Sequence, residues 1–191
     1  MQSDFITIVS GMPRSGTSLM MQMLAAGGLP PLTDNLRAAD ESNLRGYFEF
    51  EPVKRLRSDQ SWLDLARGHA VKIIHVLVRE LPADGQFQYR LLLMKRPMEE
   101  ILASQRAMLE RQGTASADDA MLAKISRSQL EQLEQWLATQ PAFAFLAVDY
   151  HRVLKEPVEV AREVNAFLQA NLNLEAMAAA VDPALYRQRL A

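Results

Sequence analysis

Residues 5–28 read FITIVSGMPRSGTSLMMQMLAAGG, and the order in which they change character decides the fold. The first six, FITIVS, form an apolar run without strict polar alternation, as expected of a strand buried on both faces. The run stops at Gly11. Past residues 11–18 a helical pattern begins, with Leu19, Met20, Met23 and Leu24 on one stripe that Gly27 and Gly28 close where a helix C-cap is expected. A strand, a glycine-bearing turn and a helix in immediate succession bring backbone N–H groups toward a phosphate, assisted by the positive end of the helix dipole. Glycine at Gly11 and Gly16 lets the chain turn tightly and approach an anion closely. Thr17 and Ser18 add hydroxyl donors, and Arg14 places a cation inside the loop. Met20, Met21 and Met23 read as core filler.

Outward from this unit, three more apolar runs follow: VKII at 71–74, YRLLLM at 89–94 and FAFLAV at 143–148. Helical patterns separate or follow them. Ile101, Leu102, Gln105, Met108 and Leu109 lie behind Pro97. Leu122, Ile125, Leu133, Trp136 and Leu137 form the next stripe, and Val160, Ala161, Val164, Phe167 and Leu168 lie behind Pro157. Buried strands alternating with helices predict an α/β chain, a single three-layer domain over residues 1–191 with a central parallel sheet. Residues 29–46 and 113–119 read as irregular, the first long enough to be a functional loop.

Composition narrows the function. The chain has 191 residues, 49% hydrophobic and 23% charged, the balance of a globular domain and not of a disordered one. Its net charge of −2 argues against a nucleic-acid partner, which calls for a broad basic surface. Without cysteine there is no disulfide, thiolate metal site or cysteine nucleophile. No leader-like N-terminus and no apolar run near the ~20 residues of a membrane span is evident, so a soluble protein of the cytoplasm is expected.

The loop spacing matches the nucleotide-binding pattern G-x-x-x-x-G-K-[ST], with Thr17 in place of the lysine. The cation, Arg14, stands three residues earlier, which argues against an ordinary ATP- or GTP-dependent activity. A second anion site is suggested by Arg96, at the carboxyl end of the third strand, where α/β sheets bind ligands. Its guanidinium can grip a phosphate through two parallel bonds, and Ser104 on the following helix can donate to the same group. The basic cluster Lys54, Arg55 and Arg57 reads as a solvated helix face. Asp149, ending the fourth strand, imitates a magnesium-binding position and favours a competing phosphotransferase reading.

GMPRSGTS at 11–18 resembles the 5′-phosphosulfate loop of the bacterial sulfotransferases that use 3′-phosphoadenosine 5′-phosphosulfate (PAPS). RPMEEILAS at 96–104 resembles their 3′-phosphate segment, and the stretch from Val71 through Lys72 and His75 to Leu81 and Pro82 is similar to a strand whose lysine and histidine enter the active site. Val148, Asp149 and Tyr150 and the helix behind Pro157 extend the resemblance over most of the chain. It implies a sulfotransferase-like P-loop fold in which Gly11, Arg14, Ser15, Gly16, Thr17, Ser18, Arg96 and Ser104 bind PAPS, with Arg187 and Arg189 as late basic candidates. Arg14 and Lys72 are then the candidates for stabilising the leaving phosphate. The sulfuryl group carries less charge than a terminal phosphoryl group, so fixed cations are expected to serve without a metal. Glu49, in a GYFE segment similar to one in bacterial sulfotransferases, is a candidate base, because burial among aromatics suits a carboxylate to that role. His75 and Asp34 are its rivals. The expected acceptor is a hydroxyl or amine of a small molecule or carbohydrate. A non-catalytic nucleotide-binding module is a further alternative.

Overall fold

The computed structural model describes residues 5–34, 36, 46–111, 113, 119–182 and 184. The four apolar runs are strands: β1 (Phe5–Gly11), β2 (Ala70–Ile74), β3 (Gln88–Lys95) and β4 (Phe143–Asp149). All pair in parallel, in the order β2-β1-β3-β4. Side chains alternate across each strand, and both faces are apolar. One face carries Val9, Leu92, Met94 and Val148, packed against α1 (Thr17–Ala26), α5 (Pro157–Leu168) and α6 (Leu174–Ala179). Met20, Met21 and Met23 are fully buried there, the core role read for them. The other face carries Ile6, Ile8, Val71, Ile73, Leu91 and Leu93 and meets Leu133 and Leu137 of α3 (Asp119–Leu137) together with 3-10 turns at Glu51–Arg55, Ser61–Ala66 and His75–Glu80. The expected three layers are present.

The inward face of α3 differs from the stripe expected of it. Leu133 and Leu137 are buried, but farther toward its N-terminus Ala123, Ser126 and Leu130 turn inward while Met121, Leu122 and Ile125 are exposed, Met121 by 64%. The neighbouring α2 (Met98–Arg111) presents Met98, Ile101 and Leu102 to Ala123 and Leu130. Small residues at 123 and 126 let the two helices approach, and the larger apolar residues are left to the flank. The basic cluster behaves as read: Lys54, Arg55 and Arg57 are exposed around the buried Leu56.

The topology positions the site. The chain leaves β1 through α1 on one face of the sheet, whereas it leaves β3 through α2 and α3 toward the other. The loops after these adjacent strands therefore diverge, opening the crevice at which α/β sheets take ligands. In register, Gly11 stands opposite Met94, so Arg96 follows two residues beyond the level of the first glycine in the loop between β1 and α1. At the far edge Lys95 stands opposite Asp149, which brings α4 (Tyr150–Lys155) to the same rim. No helix among the described residues is long and apolar enough to cross a membrane.

Candidate active site

The loop between β1 and α1 is shaped by two glycines. A Cβ on Gly11 (φ +149°) would lie 2.5 Å from Ser15 Oγ and 2.9 Å from the Met94 carbonyl. Gly16 (φ +103°) is the N-cap of α1, and a Cβ there would lie 2.5 Å from the Tyr150 ring. Between them the Ser15 amide donates to the Met12 carbonyl at 3.1 Å. Arg14 takes φ 72°, a left-handed backbone that a non-glycine residue adopts at a cost. Ser15 is fully buried and its hydroxyl has no hydrogen-bond partner among the described residues. Thr17 and Ser18 open the helix, half-buried, and no acidic residue occupies its first turn. These features fit an anion bound by backbone amides at the positive end of α1.

Two expected anion sites form one cluster. Arg14 Nε donates to Ser104 Oγ at 3.0 Å, which joins the loop cation to the serine of α2. Arg96 Nη1 donates to the Arg14 carbonyl at 3.1 Å, and its guanidinium lies 4.6 Å from the centre of the Tyr150 ring. Tyr150 thus fills the space between Gly16 and Arg96, and burial pushes its phenol pKa up. Two further residues enter here that the sequence did not announce. Glu100 Oε2 accepts from Arg96 Nε at 2.8 Å, and both Glu100 oxygens lie within 3.1 Å of His151 Nε2. The i, i+4 spacing of Arg96 and Glu100 is the only local signal of the first pair.

Lys72 lies on β2, level with Val9, and donates to the Tyr47 carbonyl; its Nζ also lies 5.9 Å from the Tyr47 ring centre. That contact ties it to the segment bearing Glu49. The Glu49 carbonyl accepts from Thr33 Oγ1 at 2.8 Å, which anchors the segment, and the Glu49 side chain is half-buried. His75 follows Ile74, which stands level with Gly11, so it too lies at the carboxyl end of the sheet. It is buried at the start of its 3-10 turn, with Nε2 3.1 Å from Gln129 Oε1 on α3. Asp149 Oδ1 accepts from the Arg152 amide at 2.8 Å and caps α4. Arg187 and Arg189 lie outside the described residues.

Asp34 is occupied as well: its carboxylate accepts the Glu51 amide at 2.5 Å and the Leu36 amide at 3.1 Å. The Glu51 bond above all holds its pKa below the ordinary carboxylate value. A carboxyl so depressed stabilises the fold above its unfolded pKa of about 3.9 and loses that contribution as pH falls through the lower folded value. Asp34→Asn should accordingly be less stable than the parent at pH 7 and should converge with it near pH 2, as read from urea midpoints. A constant difference across that range would show that the carboxylate's charge is irrelevant.

Among solved structures, the sulfotransferase domain of the olefin synthase of Synechococcus PCC 7002 matches with a TM-score of 0.61 at 17% identity, over 95% of this chain and 78% of that one. A sulfotransferase from Mycobacterium tuberculosis H37Rv gives a TM-score of 0.62 at 17% identity, over 96% and 73%. One from Alicyclobacillus acidocaldarius gives 0.52 at 14%, over 97% and 88%. No protein-family model and no curated protein matches the chain. What the backbone shares with these bacterial enzymes, at identities too low to carry an activity across, is its architecture: the chain has the sulfotransferase fold.

Proposed function

We propose that this protein is an enzyme that transfers a sulfuryl group from PAPS to a hydroxyl or amine of a small-molecule or carbohydrate acceptor, with no metal. The observation that carries this reading is the convergence of Arg14, Ser104 and Arg96 at the carboxyl ends of β1 and β3, beside a phosphate loop with Thr17 in the lysine position. When bound, PAPS supplies the sulfuryl group and is left as 3′,5′-adenosine bisphosphate. The loop amides with Thr17 and Ser18 hold its 5′ end, and Arg96 and Ser104 provide for the 3′-phosphate. Arg14, released from Ser104, and Lys72 stabilise the charge that develops on the leaving phosphate oxygen. Glu49 is assigned as the base that takes the acceptor's proton, because its segment is joined to Lys72 while His75 is directed to Gln129. A cysteine-free chain of this kind suits the reducing cytoplasm.

The test is a calorimetric and thermal-shift titration with 3′,5′-adenosine bisphosphate, ATP and 5′-AMP, all without magnesium. At about 100 times its dissociation constant, the bisphosphate should add about 2.7 kcal/mol of stability. For a domain of this size that raises the Tm by about 5–10 °C. Turnover of PAPS across an acceptor panel then separates an enzyme from a binding module. Equal stabilisation by ATP, or binding only with magnesium, would overturn the proposal in favour of phosphoryl chemistry.

A further inference from the structure

The Arg96–Glu100 pair is the most enclosed ion pair among the described residues, with side chains 7% and 1% exposed. Charges so deep are costly to desolvate and persist only where each is fully partnered. Helix dipole alone does not account for Glu100. The adjacent Glu99 shares the first turn of α2, yet remains half exposed and pairs with Arg127. Glu100 turns inward instead, accepting from Arg96 on one side and facing His151 of α4 on the other.

What Arg96 does with a second nitrogen gives the pair a purpose. Its Nη1 holds the Arg14 carbonyl, and Arg14 is the one non-glycine residue of the loop in a left-handed backbone. A strained residue keeps such a conformation only when its surroundings over-determine it. Below, the Tyr150 ring blocks Gly16 and stacks on Arg96. Above, Ser104 receives the Arg14 side chain. Arg96 needs a fixed orientation to hold that carbonyl, and Glu100 is the group that fixes its Nε edge.

We propose that Glu100 is a positioning residue of the phosphate loop: it orients Arg96, which secures the strained Arg14 backbone and so keeps the loop amides aimed at the anion. This rests on the reading of the loop as a phosphate site and deepens it. His151, bridging to α4, supports Glu100 from the far side.

The experiment compares the parent protein, Glu100→Gln, Arg96→Met and the double variant by amide hydrogen exchange without ligand and by calorimetry with 3′,5′-adenosine bisphosphate. Glu100→Gln keeps the shape but removes the charge, so its hydrogen bond to Arg96 weakens. Exchange in residues 11–18 should accelerate about tenfold, the effect of weakening one charge-assisted bond, while α5 exchanges as in the parent. Affinity for the bisphosphate should fall by a similar factor. Because Glu100 acts through Arg96, Glu100→Gln should add nothing to the loss already caused by Arg96→Met. Unchanged loop exchange in Glu100→Gln, or losses that simply add in the double variant, would overturn the proposal. If Glu100→Gln fails to fold, Glu100→Leu combined with Arg96→Met removes both buried charges and should fold with the same fast loop exchange; a slow-exchanging loop in that variant would sink the idea. Should the parent bind no bisphosphate, the sulfotransferase reading falls, and the loop exchange of the unliganded protein alone decides the role of Glu100.

Discussion

Arg14→Gly should fold more stably than Arg14→Ala and be equally impaired in the proposed sulfuryl transfer. Both variants lose the guanidinium that donates to Ser104 and that is assigned to the leaving phosphate. Removing one group aimed at developing charge costs about 10²–10³ in turnover. The two differ in backbone. At φ 72° alanine retains the strain of the left-handed region, whereas glycine relieves it, a difference of about 1 kcal/mol. In a domain of this size that separates the melting points by about 2–4 °C. Activity and stability then move independently at one position, as expected where a fold accepts strain to present a functional group. Melting curves and PAPS turnover for the two variants make the check. Equal stability would remove strain at Arg14 from the account, and near-parental turnover in either would remove its guanidinium.

Gly16→Ala should be strongly destabilising for the addition of a single methyl group. It combines two penalties, a side chain at φ +103° and a Cβ only 2.5 Å from the Tyr150 ring. The ring cannot retreat easily, since it is buried and stacked against Arg96. Backbone strain of about 1 kcal/mol and overpacking of about 1–3 kcal/mol together predict a loss near 3 kcal/mol. That is a fall of about 6–12 °C in Tm, with loss of bisphosphate binding as the start of α1 shifts. Gly28 supplies the control. Its φ is +98° and a Cβ there meets nothing within 4 Å, so Gly28→Ala carries the strain without the clash. It should cost about 1 kcal/mol and leave ligand binding intact. Similar losses for both would mean that Tyr150 gives way and does not define the floor of the site.

The parts of this molecule legible in sequence are those whose physics is local or periodic. Buried parallel strands need apolar residues on both faces, so residues 5–10, 71–74, 89–94 and 143–148 declared themselves within a residue or two at either end. The glycine-bearing turn from β1 into α1 was legible for the same reason, being one continuous segment between a strand and a helix. The partners of Arg96 were not. Glu100 meets His151 only because β3 and β4 pair with Lys95 opposite Asp149, and Tyr150 reaches Gly16 only because the end of β4 carries it to the same rim of the sheet. A register between strands so distant in sequence leaves no trace in either segment. The same holds for the junction of Lys72 with Tyr47, and for α3, whose inward face toward α2 is set by packing between two separate helices.

The strand order has a consequence for how the chain comes to be folded. β1 is synthesised first, yet it lies in the interior of the sheet, with β2 on one side and β3 on the other. Thr7 waits for Ala70, and Phe5 waits for Gln88. During synthesis the segment FITIVS therefore emerges with both edges unpaired and both faces apolar, the profile of a sticky strand. Non-local parallel pairing also makes for slow closure. Until β2 is made, the first element available to shield β1 is α1, the next in the chain, whose methionine-rich face packs with Val9 in the folded protein.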